Sequence, residues 1–107
     1  MVATYVDHTL EARCAAHRMT VRWKYDESGL RVTSIRFAGA SGARNELIKI
    51  NSWLTGLPGD ALVRVECGFD GAVLAFIDAQ SAGSHGAKQV KISWLSNKAA
   101  LIRRYNM

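Results

Sequence analysis

The sequence predicts an α+β domain in which one antiparallel sheet of about five strands packs against a central helix, with a short helix at the C-terminus. Three observations lead to this fold class. Alternating apolar and polar residues indicate two hairpins and one further strand. A helical spacing of apolar residues follows the first hairpin, and the C-terminal segment has the pattern of a capped helix. The 107 residues, 49% of them hydrophobic, suit a single domain spanning residues 1–107.

The segment before the first hairpin is compatible with two structures. Asp7 has the position of a helix cap, and Leu10, Cys14 and His17 would then share one side of a helix. The same segment also alternates from Val6 to Cys14 as a strand does. The sequence leaves open whether residues 1–18 form a helix or a strand.

The first hairpin is the clearest element of the sequence. Residues 19–25 alternate apolar and polar side chains, which is typical of a strand with one buried face. The turn at residues 26–29 ends in a glycine suited to positive φ, and residues 30–37 form the second strand. The two segments therefore predict a β-hairpin with one face toward the core.

A four-residue loop fixes which residues of this hairpin face each other. It places Tyr25 opposite Leu30 and Lys24 opposite Arg31, unless a β-bulge shifts the register. Like charges in directly opposite positions destabilise a sheet unless an anion lies near them. The pair of Lys24 and Arg31 is therefore a candidate contact for a phosphate or a carboxylate.

The central helix follows a linker of small residues. Its apolar residues recur at the spacing of one helix side, at Ala43, Leu47, Ile50 and Leu54. Gly56 suits the left-handed position after the last turn, Leu57 can fold back on the helix, and Pro58 prevents its continuation. These residues predict a helix that ends before Gly56.

The second hairpin consists of residues 61–67 and 72–78, joined by a turn that contains two glycines. It is more apolar than the first hairpin, so we expect it in the middle of the sheet. The small residues 79–87 lack periodicity and predict a mobile loop.

The C-terminal part begins with a strand at residues 88–95, whose apolar and polar side chains alternate. Ser96 or Asn97 is suited to cap a helix that runs to Tyr105. The sequence therefore predicts a last strand followed by a short terminal helix.

Charge and composition restrict the cellular context. The net charge of +5 and pI of about 9.6 create a positive field that attracts phosphates or acidic protein surfaces. The apolar runs are shorter than the roughly 20 residues that span a bilayer, and the N-terminus lacks the pattern of a secretion signal. We expect a cytoplasmic protein without a membrane span, with Cys14 and Cys67 as reduced thiols.

Binding is predicted where cations lie near aromatic residues. The candidate partner-binding residues of the first hairpin are Arg22, Lys24, Tyr25, Arg31 and Arg36. Possible secondary basic contacts are Lys88, Lys91, Arg103 and Arg104. If the outward faces of these elements lie together, they form one cationic surface for a protein or ribonucleoprotein, or alternatively for single-stranded nucleic acid. Aromatic residues at strand period are, however, typical of a core.

Catalysis is not expected, because no constellation has the required spacing. His8, Cys14 and His17 match no familiar zinc pattern, and the sequence contains no glycine-rich nucleotide motif. His85 lies in the Ser- and Gly-rich loop, where a solvated histidine is ordinary. We expect no cofactor and no metal. An enzyme centred on Cys14 or Cys67 with His17 is a third alternative.

A set of short motifs lies in the first two thirds of the chain: Gly42-Ala43-Arg44, Ser52-Trp53, Gly56-Leu57-Pro58-Gly59, Leu62, Arg64 and Glu66, with Ala16-His17 and Tyr25 before an acidic turn. Together they resemble a small phage anti-CRISPR family that acts on the type I-F surveillance complex. The resemblance covers roughly residues 15–67. The chain departs from the family afterwards, where residues 72–78 predict a strand and a basic tail follows.

The resemblance implies a non-enzymatic inhibitor in the cytoplasm of a bacterial host. Such a protein docks on the backbone subunits of the crRNA-guided complex and blocks its pairing with target DNA. Of the contact residues of the family, only a hairpin tyrosine carries over, onto Tyr25. The oligomeric state is open.

Overall fold

The computed structural model describes residues 7–14, 17–27, 29–58, 61–68, 71–78 and 88–104. These residues form two four-stranded antiparallel sheets and one short helix, so the described chain is mostly β. In each sheet, strands that are neighbours in the sequence are also neighbours in space.

The two sheets lie on either side of the helix in the chain. Sheet A contains β1 (Asp7–Cys14), β2 (His17–Asp26), β3 (Gly29–Phe37) and β4 (Ala40–Ser41). The helix α1 (Arg44–Trp53) follows. Sheet B contains β5 (Leu62–Cys67), β6 (Gly71–Ile77), β7 (Gln89–Leu95) and β8 (Lys98–Arg104).

The predicted single sheet of about five strands on a central helix is wrong. The first hairpin belongs to sheet A and the second to sheet B, and the buried faces of both sheets share one hydrophobic core. Helix α1 packs beside β3 and β8 at one side of this sandwich, while β1 lies beside β5 at the other. Alternation identifies the buried face of each strand, but it does not show which strands share a sheet.

The predicted C-terminal helix is also wrong, because the segment forms strand β8. Ser96 and Asn97 do not cap a helix; their φ angles of 52° and 59° form a two-residue turn between Leu95 and Lys98. Two consecutive residues at positive φ are typical of the tight hairpin turn that matches the twist of its strands. Pairing with β7 therefore outweighs the helix propensity of an Ala- and Leu-rich segment.

Several local predictions are confirmed. The apolar spacing predicted the position of α1, and of the two structures left open for the N-terminal segment, the described residues 7–14 form a strand. Gly56 has φ of 93°, and Leu57 behind it is buried. The predicted mobile loop at residues 79–87 and Tyr105, the predicted end of the C-terminal helix, lie outside the described residues.

Two polar side chains of α1 fasten the helix to both sheets. Asn51 Oδ1 accepts the N–H of Val32 at 2.8 Å, and Asn51 Nδ2 donates to the carbonyl of Val32 at 2.9 Å. Strand β4 pairs only with the end of β3, so Asn51 occupies the position of a neighbouring strand at Val32. On the other side, Glu46 accepts the N–H of Ala99 in β8 at 2.9 Å. The ion pair with Lys49, and then this N–H, hold the pKa of Glu46 below its ordinary value.

A disulfide closes the side of the sandwich opposite the helix. Cys14 at the end of β1 is bonded to Cys67 at the end of β5, with a Cα–Cα distance of 5.0 Å. The predicted reduced thiols are therefore wrong. The sequence separation of 53 residues carries no sign that these two strand ends lie together. Among the described residues, no helix is long and apolar enough to cross a membrane.

Candidate functional site

The outer surface of sheet A carries a concentration of positive charge. In β1 and β2, apolar side chains at alternate positions enter the core and the intervening side chains point outward, and in β3 a bulge at Thr33 shifts this alternation by one residue. We call the outward-pointing cations the cationic face: Arg13, Arg18, Arg22, Lys24, Arg31 and Arg36. Glu11 in β1 is the one outward carboxylate whose side chain the structure describes on this face.

Four of the predicted partner-binding residues lie together on this face. They are Arg22, Lys24, Arg31 and Arg36, and the predicted register is confirmed, with Lys24 opposite Arg31. Lys24 and Arg31 each take part in a further interaction. This pair therefore does not mark a vacant anion site. By contrast, no hydrogen bond or ion pair holds the guanidinium groups of Arg22 and Arg36 within the described chain.

Tyr25, the fifth predicted residue, lies on the opposite side of sheet A. It is half-buried, packs against the core, and has its ring 4.8 Å from that of His8. His8 also stacks on Trp23, with ring centroids 5.5 Å apart. Because side chains alternate along β2, a residue next to Lys24 cannot share its face. Tyr25 is thus separated from the cations that were predicted to act with it.

The cationic face has no aromatic side chain in the part of the chain that the structure describes. Trp23, Tyr25 and Phe37 all belong to the inward-facing positions of sheet A and pack in or against the core. Phe69 lies outside the described residues. The described part of this surface therefore offers charge and hydrogen bonding, and no aromatic ring on which a base could stack.

A depression of about 330 Å³ lies within the cationic face. Its lining residues are Glu11, Thr20, Arg22, Ser34, Ile35, Arg36 and Ser41. Thr20 is opposite Arg36 and Arg22 is opposite Ser34, so the two arginines stand diagonally across the β2–β3 ladder. Diagonal neighbours in a ladder lie roughly 7–8 Å apart, and the short hydroxyl residues leave the space between them open.

This depression was not predicted. A β-bulge in β3 sets the diagonal, because Trp23 pairs with Val32 while Arg22 pairs with Ser34, which leaves Thr33 between them. The hydroxyl of Thr33 donates to the carbonyl of Arg22 at 3.2 Å. Outward hydroxyl residues beside arginines were visible in the sequence, but the bulge that aligns them was not.

The predicted secondary contacts lie elsewhere. Lys91 and Arg103 are opposite each other on the outer face of sheet B, near Arg64. Arg104 points toward the helix end, where its Nη2 donates to the carbonyl of Thr55 at 3.4 Å. Lys88 is exposed just before β7. The outward faces of these elements do not lie together, because the outer faces of the two sheets point away from each other, so these cations do not form one surface.

The disulfide removes two of the candidate residues for catalysis or metal binding. Cys14 and Cys67 are bonded to each other, so neither supplies a thiolate to a substrate or a metal. Within the described ranges, no group of three or more His, Cys, Asp and Glu side chains is arranged to hold a metal ion. His85 lies outside those ranges. The expectation of a non-enzymatic protein stays a prediction.

Comparison with protein-family models, with characterised proteins and with solved structures finds no match to this chain. The resemblance to the anti-CRISPR family thus stays a prediction from the motifs of residues 15–67. Function has to be inferred from the charge and geometry of the cationic face.

Proposed function

We propose that this chain is a non-enzymatic binding protein that docks on an acidic protein or ribonucleoprotein through the cationic face. The observation that carries the proposal is the register of sheet A, which puts six cations on one surface beside a single described carboxylate. Such a surface steers an acidic partner toward it and fixes the orientation of docking. The opposite surface of the same sheet packs in the hydrophobic core.

The motifs of residues 15–67 indicate the type I-F surveillance complex as the partner, with the chain acting as an anti-CRISPR-like inhibitor. That partner is a ribonucleoprotein, so it presents phosphates as well as protein surface. Tyr25 packs inward, so docking in this chain rests on cations and not on the tyrosine of the family. An inhibitor of this kind acts in the bacterial cytoplasm, where disulfides are rare. The reduced chain then has to remain folded enough to bind.

The alternative, a single-stranded nucleic-acid-binding domain, has weaker support. Domains of that kind combine a basic groove with aromatic side chains on which successive bases stack. The described part of the cationic face supplies the charge but no aromatic ring. Docking by charge and hydrogen bonds on a preformed partner fits the face better.

Charge reversal on the two faces tests the proposal. We expect a tagged Arg22→Glu/Arg36→Glu variant to lose co-purification of the type I-F complex, because two repulsive charges replace two attractive ones. The control is Arg64→Glu/Arg103→Glu, which makes the same change of charge on the outer face of sheet B. Equal retention by both variants would contradict docking through the cationic face. Loss by both would show a dependence on net charge alone.

A further inference from the structure

We propose that the depression between Arg22 and Arg36 binds the phosphate–ribose backbone of a structured RNA. The inference rests on the proposed function, since it names the part of a ribonucleoprotein that the cationic face contacts. It concerns one site of about 330 Å³ and not the charge of the whole face.

The donors around the depression suit a phosphate. Each guanidinium carries five N–H donors in a planar fork that matches phosphate oxygens, and Arg22 and Arg36 are both exposed at the rim. The hydroxyls of Thr20, Ser34 and Ser41 supply further donors. A backbone phosphodiester presents two non-bridging oxygens on a tetrahedral phosphorus, and these accept hydrogen bonds from several directions. The donor set therefore suits a phosphate.

Glu11 indicates what lies beside the phosphate. A carboxylate accepts hydrogen bonds and repels anions, so its presence in the lining argues against a site for a free anion. Glu11 of β1 pairs with Thr20 of β2, and Thr20 pairs in turn with Arg36 of β3, so the three side chains lie in one row across the sheet. A ribose attached to the phosphate places a 2′-hydroxyl donor within the same backbone unit. The volume is at the lower limit of roughly 300 Å³ for ligand pockets, which is room for more than one phosphate group.

The described part of the cationic face has no aromatic side chain, which favours structured over single-stranded RNA. Double-stranded RNA is bound mainly through phosphates and 2′-hydroxyls, while proteins that bind single strands commonly stack the bases on aromatic side chains. The described cationic face supplies arginines, hydroxyls and one carboxylate on a regular sheet surface. A DNA duplex of the same sequence offers the phosphates without the 2′-hydroxyls, so Glu11 becomes a source of preference for RNA.

Fluorescence anisotropy with labelled duplexes tests the site. We expect the wild-type chain to bind a short RNA duplex more tightly than a DNA duplex of the same sequence at low salt. The Arg22→Ala/Arg36→Ala variant is expected to bind RNA at least about tenfold more weakly, with a salt slope lower by about 2, because each phosphate contact contributes about 1. The matched control Arg64→Ala/Arg103→Ala removes the same charge and keeps RNA binding.

Glu11→Ala isolates the contact to the sugar. We expect it to weaken RNA binding about fivefold while DNA binding stays equal or rises, since a repulsive charge is removed. Melting temperatures of all variants close to that of the wild type establish that folding is intact. A structural defect would instead lower RNA and DNA binding together and lower the melting temperature.

Several outcomes would overturn the inference. They are the absence of RNA binding at low salt, equal loss in the two arginine variants, equal affinity of wild type for RNA and DNA, and tighter binding of single-stranded RNA than of the duplex. If no oligonucleotide binds but Arg22→Glu/Arg36→Glu still loses the surveillance complex, the face contacts acidic protein. In that case this inference fails while the proposed function stands.

Discussion

Reduction of the disulfide between Cys14 and Cys67 is expected to destabilise the fold substantially. The bond joins the end of β1 in sheet A to the end of β5 in sheet B, on the side that helix α1 does not cover. The hydrogen-bonded ladders run within each sheet, so the disulfide is the covalent tie between the sheets at this side. Breaking it leaves that side held by packing.

The magnitude follows from the length of chain that the bond closes. A separation of 53 residues corresponds to a loss of unfolded-state entropy worth about 4 kcal/mol at 25 °C. For a domain of this size, 1 kcal/mol shifts the melting temperature by about 4 °C, so reduction lowers it by about 15 °C.

The assay is thermal and urea unfolding of the wild-type chain, followed by circular dichroism with and without a reducing agent. The urea dependence is expected to steepen on reduction, because the unfolded chain without its cross-link exposes more surface. The Cys14→Ala/Cys67→Ala variant should match the reduced wild type and should not respond to the reducing agent. An unchanged melting temperature on reduction would refute the reasoning.

Two further predictions concern the polar side chains of α1. Asn51→Leu is expected to lower the free energy of unfolding by about 2–4 kcal/mol in urea titrations. It removes two hydrogen bonds and leaves the N–H and the carbonyl of Val32 without these partners. The control Asn45→Ala on the exposed side of the helix should cost little, and equal losses would exclude the proposed role. Glu46 has a lowered pKa caused first by Lys49, so its contribution is full above its ordinary pKa and disappears as the pH falls through the lowered value. Glu46→Gln should therefore flatten the acid limb of the stability curve, and an unaltered limb would count against this linkage.

The sequence predicted those features that depend on neighbouring residues. Alternation and a short turn predicted the hairpin and its register, including Tyr25 opposite Leu30. Steric properties of glycine and proline predicted the end of α1, where Gly56 has positive φ. The outward position of Arg22 followed from the same period of two, whereas Arg36 reaches that face because the bulge at Thr33 shifts the alternation of β3.

The features that were missed depend on contacts between distant segments. The residues after Asn97 have good helix propensity, but pairing with β7 makes them a strand. The joining of Cys14 to Cys67 needs β1 beside β5, and the division into two sheets needs a choice among several compatible pairings. The depression needs the bulge at Thr33, which no local pattern indicates.

The disulfide also bears on where the proposed inhibitor acts. The cysteines were expected to be reduced thiols because the sequence lacks the pattern of a secretion signal. An inhibitor in a reducing compartment has to bind after losing about 4 kcal/mol of stabilisation. Binding of the surveillance complex in the presence and absence of a reducing agent therefore belongs with any test of the partner.

Co-purification of the type I-F surveillance complex with the tagged charge-reversal variants tests the central claim most directly. We predict that the wild type and Arg64→Glu/Arg103→Glu retain the complex while Arg22→Glu/Arg36→Glu loses it, with equal melting temperatures for all three. Recovery of the complex with Arg22→Glu/Arg36→Glu at the wild-type level would contradict docking through the cationic face. Failure of the wild type itself to recover the complex would remove this partner.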